Sequence, residues 1–137
     1  MTEYLLDTNH ISPIVTVGHP LRERIQTRIR QGDTFSIAVP ALSEFLYGIS
    51  VIPRAKRNLR EWNRLRRDFR YYCVDQTDAE QSAKLRVALR QRGWQLAIID
   101  AMIAVIALRN NLILLTTDKD FSIISDIRQE NWRDSVS

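Results

Sequence analysis

Short apolar runs and helical segments alternate along the chain. Runs rich in apolar and β-branched residues predict four strands, at residues 4–6, 35–39, 71–74 and 112–116. Apolar residues spaced three or four apart predict five helices, at residues 21–31, 40–48, 53–70, 77–93 and 96–108. Residues 121–127 fit either a short helix or a last strand. This alternation predicts an α/β fold with a mainly parallel central sheet.

Local signals set some of the helix starts. Pro40 suits the first turn of a helix, where its missing N–H costs nothing. Thr77 and Glu80 have the spacing of a capping box, so we expect the next-to-last helix to begin there. The last helix is apolar on nearly all sides, which predicts that it is buried.

The composition is that of one soluble domain, predicted to extend over residues 1–137. Apolar residues make up 45% and charged residues 26% of the 137 residues. A single cysteine, Cys73, excludes an internal disulfide and suits a reducing compartment. The longest nearly apolar run, residues 96–108, is shorter than the ~20 residues of a membrane span, and no signal peptide is evident. We therefore expect a cytoplasmic protein without a membrane partner.

Positive charge is concentrated in residues 53–70. This segment has eight basic and two acidic residues, a local net charge of +6, while the whole chain has +4. Its apolar residues Leu59, Trp62, Leu65 and Phe69 recur at helical spacing and predict one buried face. The basic face fits either a contact with a polyanion such as RNA or an ordinary solvated helix surface. If RNA binds there, the expected contacts are Arg57, Arg60, Arg64 and Arg67.

Acidic residues follow two predicted strands. Asp7 comes directly after residues 4–6, and Asp118 comes two residues after residues 112–116. In a parallel sheet the ligand crevice lies beyond the carboxyl ends of the strands, so both acids are expected at that edge. Glu44 lies one turn inside a helix that starts at the same edge. Asp100 lies on the apolar helix, where a carboxylate is costly unless something compensates it.

Each acid also has a simpler explanation. Asp7 could cap a turn, and Glu44 could interact with a helix dipole. Asp118 and Asp120 could be turn or cap residues, and Asp100 could pair with an arginine. Taken together, however, carboxylates gathered at one edge repel each other unless a cation lies between them. Oxygen ligands suit Mg²⁺ or Mn²⁺, so the set predicts an acidic metal site.

Other chemistries have less support. His10 and His19 are the only histidines, and neither has zinc-ligand spacing with Cys73. The chain has no glycine-rich phosphate loop and no Gly-x-Ser-x-Gly motif. A haloacid-dehalogenase-like phosphatase would need a second aspartate where Asn9 stands.

Four motifs in order resemble the PIN-domain nucleases, and in particular the VapC-type ribonuclease toxins of toxin–antitoxin pairs. They are LLDTN at residues 5–9, SEFLYG at 43–48, IIDAMIAVIA at 98–107 and LLTTDKDF at 114–121. The resemblance covers residues 4–121. It implies a three-layer α/β/α sandwich and Mg²⁺- or Mn²⁺-dependent cleavage of RNA. It also implies a homodimer and inhibition by a small antitoxin.

The resemblance also implies roles for single residues. The catalytic, metal-binding acids would be Asp7, Glu44, Asp100 and Asp118. The supporting positions would be Thr8, Asn9, Thr116 and Asp120. Whether Asp118 or Asp120 is the essential fourth acid stays open, as does the alternative of a PIN-like module that binds RNA or protein without catalysis.

Overall fold

The computed structural model describes residues 1–133, and five parallel strands form its central sheet. The strands are β1 (Glu3–Leu6), β2 (Thr34–Ala38), β3 (Arg70–Tyr72), β4 (Ile113–Leu115) and β5 (Gln129–Glu130). The α-helices within these residues are α1 (Thr8–Ile11), α2 (Pro20–Arg30), α3 (Val39–Ser50), α4 (Ala55–Leu65), α5 (Gln76–Gln91) and α6 (Ile98–Arg109). Three 3₁₀ turns cover Ser12–Val15, Arg66–Asp68 and Lys119–Ile123. The predicted α/β sandwich with a parallel sheet is confirmed.

The strand order is β3-β2-β1-β4-β5. Successive strands are therefore added first on one side of β1 and then on its other side. The chain first moves outward from β1 to β3, and then crosses back to lay β4 on the other side of β1. In the register of this central pair, Leu6 lies beside Leu115. A crevice forms at such a reversal because the connections leave the two neighbouring strands in opposite directions.

The central strands are covered on both faces. Leu5, Leu6, Leu114 and Leu115 have no exposed surface, which explains why their runs are continuously apolar. Tyr4 stacks on Phe35 of β2 with ring centroids 5.0 Å apart. No helix within residues 1–133 is long and apolar enough to cross a membrane.

A C-terminal aromatic residue completes this packing. Trp132 is 3% exposed and lies edge-on against Tyr4, with ring centroids 4.9 Å apart. The indole also contacts Phe35, at 5.7 Å between centroids, and lies under the guanidinium groups of Arg24, at 3.8 Å, and Arg28, at 5.4 Å. The segment after β5 is therefore packed on β1 and β2.

The basic segment differs from its prediction. Helix α4 ends at Leu65, a 3₁₀ turn follows, and β3 begins at Arg70. Leu59, expected on the buried face, is exposed, whereas Glu61 is 6% exposed. Glu61 is stabilised there by Arg22 of α2, with 3.0 Å between Nη2 and Oε1. An apolar periodicity does not reveal such a pair, because its partner comes from a distant part of the chain.

The start of α5 was also predicted wrongly. Asp75 is the N-cap, and its side chain accepts a hydrogen bond from the Asp78 N–H at 2.7 Å. Asp78 completes the capping box by accepting from the Asp75 N–H at 3.1 Å. Arg109 of α6 contacts both carboxylates. Residues 75–78 and 77–80 both have capping-box spacing, and this tertiary contact with Arg109 favours the earlier one.

Three short elements were missed. Helix α1 and the Ser12–Val15 turn follow β1 directly, and β5 lies beyond the segment in which a last strand was considered. Residues 121–127 contain the end of a 3₁₀ turn, closer to the short-helix alternative. All three are too short to show a periodicity.

The observed cap leads to a stability prediction. Asp75→Ala should lower the urea midpoint of unfolding, because the Asp78 N–H loses its acceptor. Asp75→Asn should keep most of the stability, since an amide oxygen can accept the same bond. Thr77→Ala is the matched control and should change little. A larger loss for Thr77→Ala than for Asp75→Ala would contradict the observed helix start.

Candidate active site

Asp7 lies at the carboxyl end of β1, where the strand order reverses. It is 5% exposed, and its N–H donates to the Leu115 carbonyl at 3.0 Å, extending the pairing of β1 with β4. This pairing brings Asp7 next to Thr116, the residue that follows β4. The sequence prediction that the two strand ends meet at one edge is therefore confirmed.

Neutral donors hold the Asp7 carboxylate. Oδ2 accepts from Thr116 Oγ1 at 2.8 Å and from Asn9 Nδ2 at 3.1 Å. Oδ1 accepts from the Thr8 N–H at 2.8 Å, which makes Asp7 the N-cap of α1. The expectation that Asp7 could cap a turn is therefore confirmed, and its role in a metal site stays a prediction. Burial raises the pKa of Asp7, these hydrogen bonds lower it, and the Asp118 charge raises it, with a net upward shift.

Asp100 is the third residue of α6 and is partly buried. Its pKa is raised from 3.8 to about 6, first by burial and then by other negative charges. Those charges belong to Asp7, Asp118, Glu44 and Asp120. The predicted acids therefore share one electrostatic cluster, hereafter the acid cluster (Asp7, Glu44, Asp100, Asp118 and Asp120). Within residues 1–133 no Arg, Lys or His forms an ion pair with any of them.

Asp118 and Thr116 are joined through hydrogen bonds at the end of β4. The Asp118 N–H donates to Thr116 Oγ1 at 2.9 Å, and this hydroxyl in turn donates to Asp7. Asp118 also caps the following 3₁₀ turn by accepting from the Asp120 N–H at 2.8 Å. Thr116 is therefore the link that fixes the loop after β4 to the carboxylate after β1.

Glu44 lies on the rim of the acid cluster. It is on the exposed side of α3, and its nearest side-chain partner is the Thr8 hydroxyl, at the long distance of 3.5 Å. Helix α3 also packs on α1 and α6, the helices next to Asp7 and Asp100. The Glu44 charge contributes to raising the pKa of Asp100, so Glu44 lies within electrostatic range of the cluster.

The donor set fits a hard divalent cation. Its oxygens are carboxylates that raise one another's proton affinity, so a positive charge among them would be stabilised. In the described part of the chain, no three His, Cys, Asp or Glu side chains are close enough to hold an ion as they stand. The acids are thus coupled through space but open, and side-chain rotation would be needed to close them around an ion.

The predicted RNA contacts, which lie on α4 and in the 3₁₀ turn after it, are not part of this hydrogen-bonded network. Arg57, Arg60 and Arg67 are exposed, and Arg64 forms an ion pair with Glu61 at 3.3 Å. Helix α4 packs mainly on α3. Contact of these arginines with RNA stays a prediction.

A second basic surface borders the acid cluster. A cavity of about 640 Å³ lies between α5 and the residues that lead into α6, and Asp120 forms part of its wall. We call it the α5 groove, and its polar lining includes Arg86, Arg90, Trp94 and Gln95. The indole Nε1 of Trp94 is buried without a hydrogen-bond partner in the described structure. Two arginines one helical turn apart leave no dense charge run, so the sequence pattern did not reveal this surface.

The chain belongs to the PIN-domain family. The family model for the PIN domain matches residues 4–127, nearly the whole of the chain. This confirms the resemblance predicted from the four acidic motifs and supports a nuclease. A comparison with curated proteins gives no match.

The structure is similar to VapC-type proteins. One similar structure is VapBC2 from Rickettsia felis bound to a DNA fragment from their promoter, with a TM-score of 0.83, 22% identity, and coverage of 96% of this chain and 99% of the other. DNA-bound VapBC from Salmonella typhimurium has a TM-score of 0.80 and 27% identity with the same coverage. Mycobacterium tuberculosis VapC20, a sarcin–ricin loop cleaving toxin, has a TM-score of 0.64 and 15% identity, covering 89% of this chain and 95% of that one.

The Asp100 carboxyl should make stability depend on pH. Its folded pKa of about 6 exceeds the usual 3.8, so the native state binds more protons between these values. The free energy of unfolding therefore falls as the pH rises through this window. Asp100→Asn should remove that loss and gain about 1–2 kcal/mol at pH 7, after allowance for solvent screening. Urea unfolding at pH 4.5 and pH 7 measures the difference.

The control for this experiment is Asp126→Asn, the same change at an exposed position outside the cluster. It should leave the pH dependence unaltered. An Asp100→Asn protein no more stable than the parent at pH 7 would show that Asp100 does not experience the charges of the cluster.

Proposed function

We propose that this chain is a metal-dependent endoribonuclease and the toxin of a type II toxin–antitoxin pair. The observation that carries the proposal is the acid cluster at the β1–β4 reversal, whose charges no cation of residues 1–133 neutralises. Membership of the PIN family supports a nuclease, and the similarity to VapC20 supports RNA as the substrate.

In this proposal, Asp7 and Asp100 hold the metal, and Asp118 and Glu44 complete the site directly or through water. A bound Mg²⁺ or Mn²⁺ would lower the pKa of an attacking water and offset charge on the leaving oxygen. Thr116 and Asn9 fix the orientation of the Asp7 carboxylate, and Thr8 supports it through its N–H. Asp120 adds negative charge beside Asp100 and shares a turn with Asp118.

We place the RNA backbone in the α5 groove on its way to the acid cluster. Arg86 and Arg90 offer charge for phosphates, and Asp120 connects the groove to the cluster. Trp94 also lines the groove and offers an aromatic side chain on which a base could stack. The exposed arginines of α4 are a second route, favoured by charge alone.

The partners follow from the same comparisons. The similar structures from Rickettsia felis and Salmonella typhimurium are VapBC pairs, so we propose a small antitoxin as the protein partner. The homodimer that the family resemblance implies is proposed as the assembly. A PIN-like module that binds RNA or protein without catalysis is the alternative. Calorimetric titration with Mn²⁺ separates the two, because a module of that kind has no need to bind the ion.

Neutralising the cluster should abolish cleavage. Asp7→Asn and Asp100→Asn should each slow RNA hydrolysis about 100-fold or more, since an ion held by carboxylates contributes several kcal/mol to transition-state stabilisation. Cleavage of an RNA panel with Mg²⁺ and Mn²⁺ gives the rates. Asp126→Asn is the matched control. Asp126 lies near Asn111 and Leu112, the residues that lead into β4, and is therefore at the edge of the sheet opposite to the acid cluster. Equal rates for Asp7→Asn, Asp100→Asn and the parent would refute the assignment.

The two basic surfaces make different predictions. The double variant Arg86→Gln/Arg90→Gln should weaken RNA binding and reduce the slope of log K against log[salt] by about 0.7 for each phosphate that the protein no longer neutralises. Arg57→Gln/Arg60→Gln removes the same charge from α4 and should have the smaller effect. Fluorescence anisotropy with a labelled, uncleavable RNA measures both. The reverse order would place the RNA on α4.

A further inference from the structure

A buried histidine lies between the C-terminal segment and the acid cluster. His10 is completely buried in α1. Its Nε2 faces the Trp132 N–H at 3.0 Å, and its Nδ1 faces Asn9 Oδ1 at 2.7 Å. Asn9 is the residue whose amide group holds Asp7. His10 therefore connects a segment that lies more than a hundred residues away in sequence to a proposed metal ligand.

The donor groups fix the direction of each hydrogen bond in the series from Trp132 through His10 and Asn9 to Asp7. A main-chain N–H can only donate, so Nε2 of His10 accepts and carries no hydrogen. The ring hydrogen is then on Nδ1 and donates to Asn9 Oδ1. Asn9 Oδ1 also accepts from the Thr117 N–H at 3.1 Å. With its oxygen occupied by two donors, Asn9 turns its NH₂ group toward Asp7 Oδ2.

We propose that His10 is a positioning residue for the metal site, acting through the orientation of the Asn9 amide. The proposal rests on the proposed function, because it takes Asp7 as a metal ligand. With the amide reversed, Asn9 Oδ1 would face Asp7 Oδ2, and two acceptors at about the present 3.1 Å would repel each other. His10 and Thr117 together exclude that orientation.

The C-terminal segment braces the same helix from outside. Arg133 Nη1 donates to the Asn9 carbonyl at 3.0 Å, in addition to the bond from the Trp132 N–H to His10. Trp132 is itself fixed by its packing on Tyr4 and Phe35. The packing of Trp132 on the sheet thus fixes the tautomer of His10, and through it the orientation of the Asn9 amide that holds Asp7.

Two substitutions test the two ring nitrogens of His10 one at a time. In His10→Asn the amide nitrogen takes the place of Nδ1, so the donor to Asn9 is kept and the acceptor for Trp132 is removed. In His10→Gln the side-chain oxygen takes the place of Nε2, so the acceptor is kept and the donor to Asn9 is removed. Glutamine fills the buried space better than asparagine, so His10→Gln should be the more stable of the two proteins.

The two variants should rank in opposite orders: His10→Gln should be the more stable protein, and His10→Asn should bind the metal more tightly. His10→Gln should bind Mn²⁺ about tenfold or more weakly than the parent, because it releases Asn9, the hydrogen-bond partner of a proposed ligand, and loss of such a partner commonly has this effect. His10→Asn should rescue most of the affinity, despite its lower melting temperature. Mn²⁺ titration calorimetry and thermal unfolding give the two orders. If affinity simply follows stability, His10 has only a packing role and the proposal is overturned.

A measurement without metal tests the tautomer directly. In ¹⁵N-correlated NMR of the metal-free protein, the His10 ring should be protonated at Nδ1 and unprotonated at Nε2. Protonation at Nε2 overturns the proposal, whatever the protein does with RNA. A parent protein that neither binds Mn²⁺ nor cuts RNA would instead overturn the proposed function, and the ring spectrum would still decide the hydrogen-bond direction.

Discussion

Repulsion among carboxylates at the carboxyl edge of the sheet is the constraint on which the rest of this structure depends. Asp7 and Asp100 both have raised pKa values, and each feels the charge of other members of the acid cluster. The described residues hold the Asp7 carboxylate with hydroxyl, amide and main-chain donors rather than with arginine or lysine. Neutral donors orient a carboxylate without cancelling its charge, so the charge stays available to a cation from solution.

The topology explains why the carboxylates meet at this edge of the sheet. A parallel sheet with order β3-β2-β1-β4-β5 reverses between β1 and β4, and the residues that follow these strands must meet there. Asp7 comes from the first strand end and the Thr116–Asp118 loop from the second. Helices α3 and α6 bring Glu44 and Asp100 within electrostatic range of these residues. Acids from four separate elements thus share a location that only the complete fold creates.

Packing contacts and hydrogen bonds connect the acid cluster directly to the hydrophobic core. Trp132 packs on Tyr4 and Phe35, while its N–H bonds His10, whose neighbour Asn9 holds Asp7. Disturbing the aromatic packing would therefore alter the carboxylate as well as the stability. On the other side of the cluster, the α5 groove is shaped by helix packing and is bounded by Asp120. In the proposed function, the acid cluster would hold the metal and the α5 groove would give a polyanion an open, basic approach to it.

The sequence by itself determined the parallel α/β fold, the strands β1 and β4 and the convergence of the acids, because each depends on local periodicity or on residues next to a strand end. The choice of Asp75 over Thr77 as cap required Arg109, and the burial of Glu61 required Arg22. Strand β5, the tautomer of His10 and the α5 groove likewise depend on neighbours far away in the chain. Only the tertiary structure decided these features, since a hydrogen bond or ion pair between distant residues leaves no pattern in either segment alone.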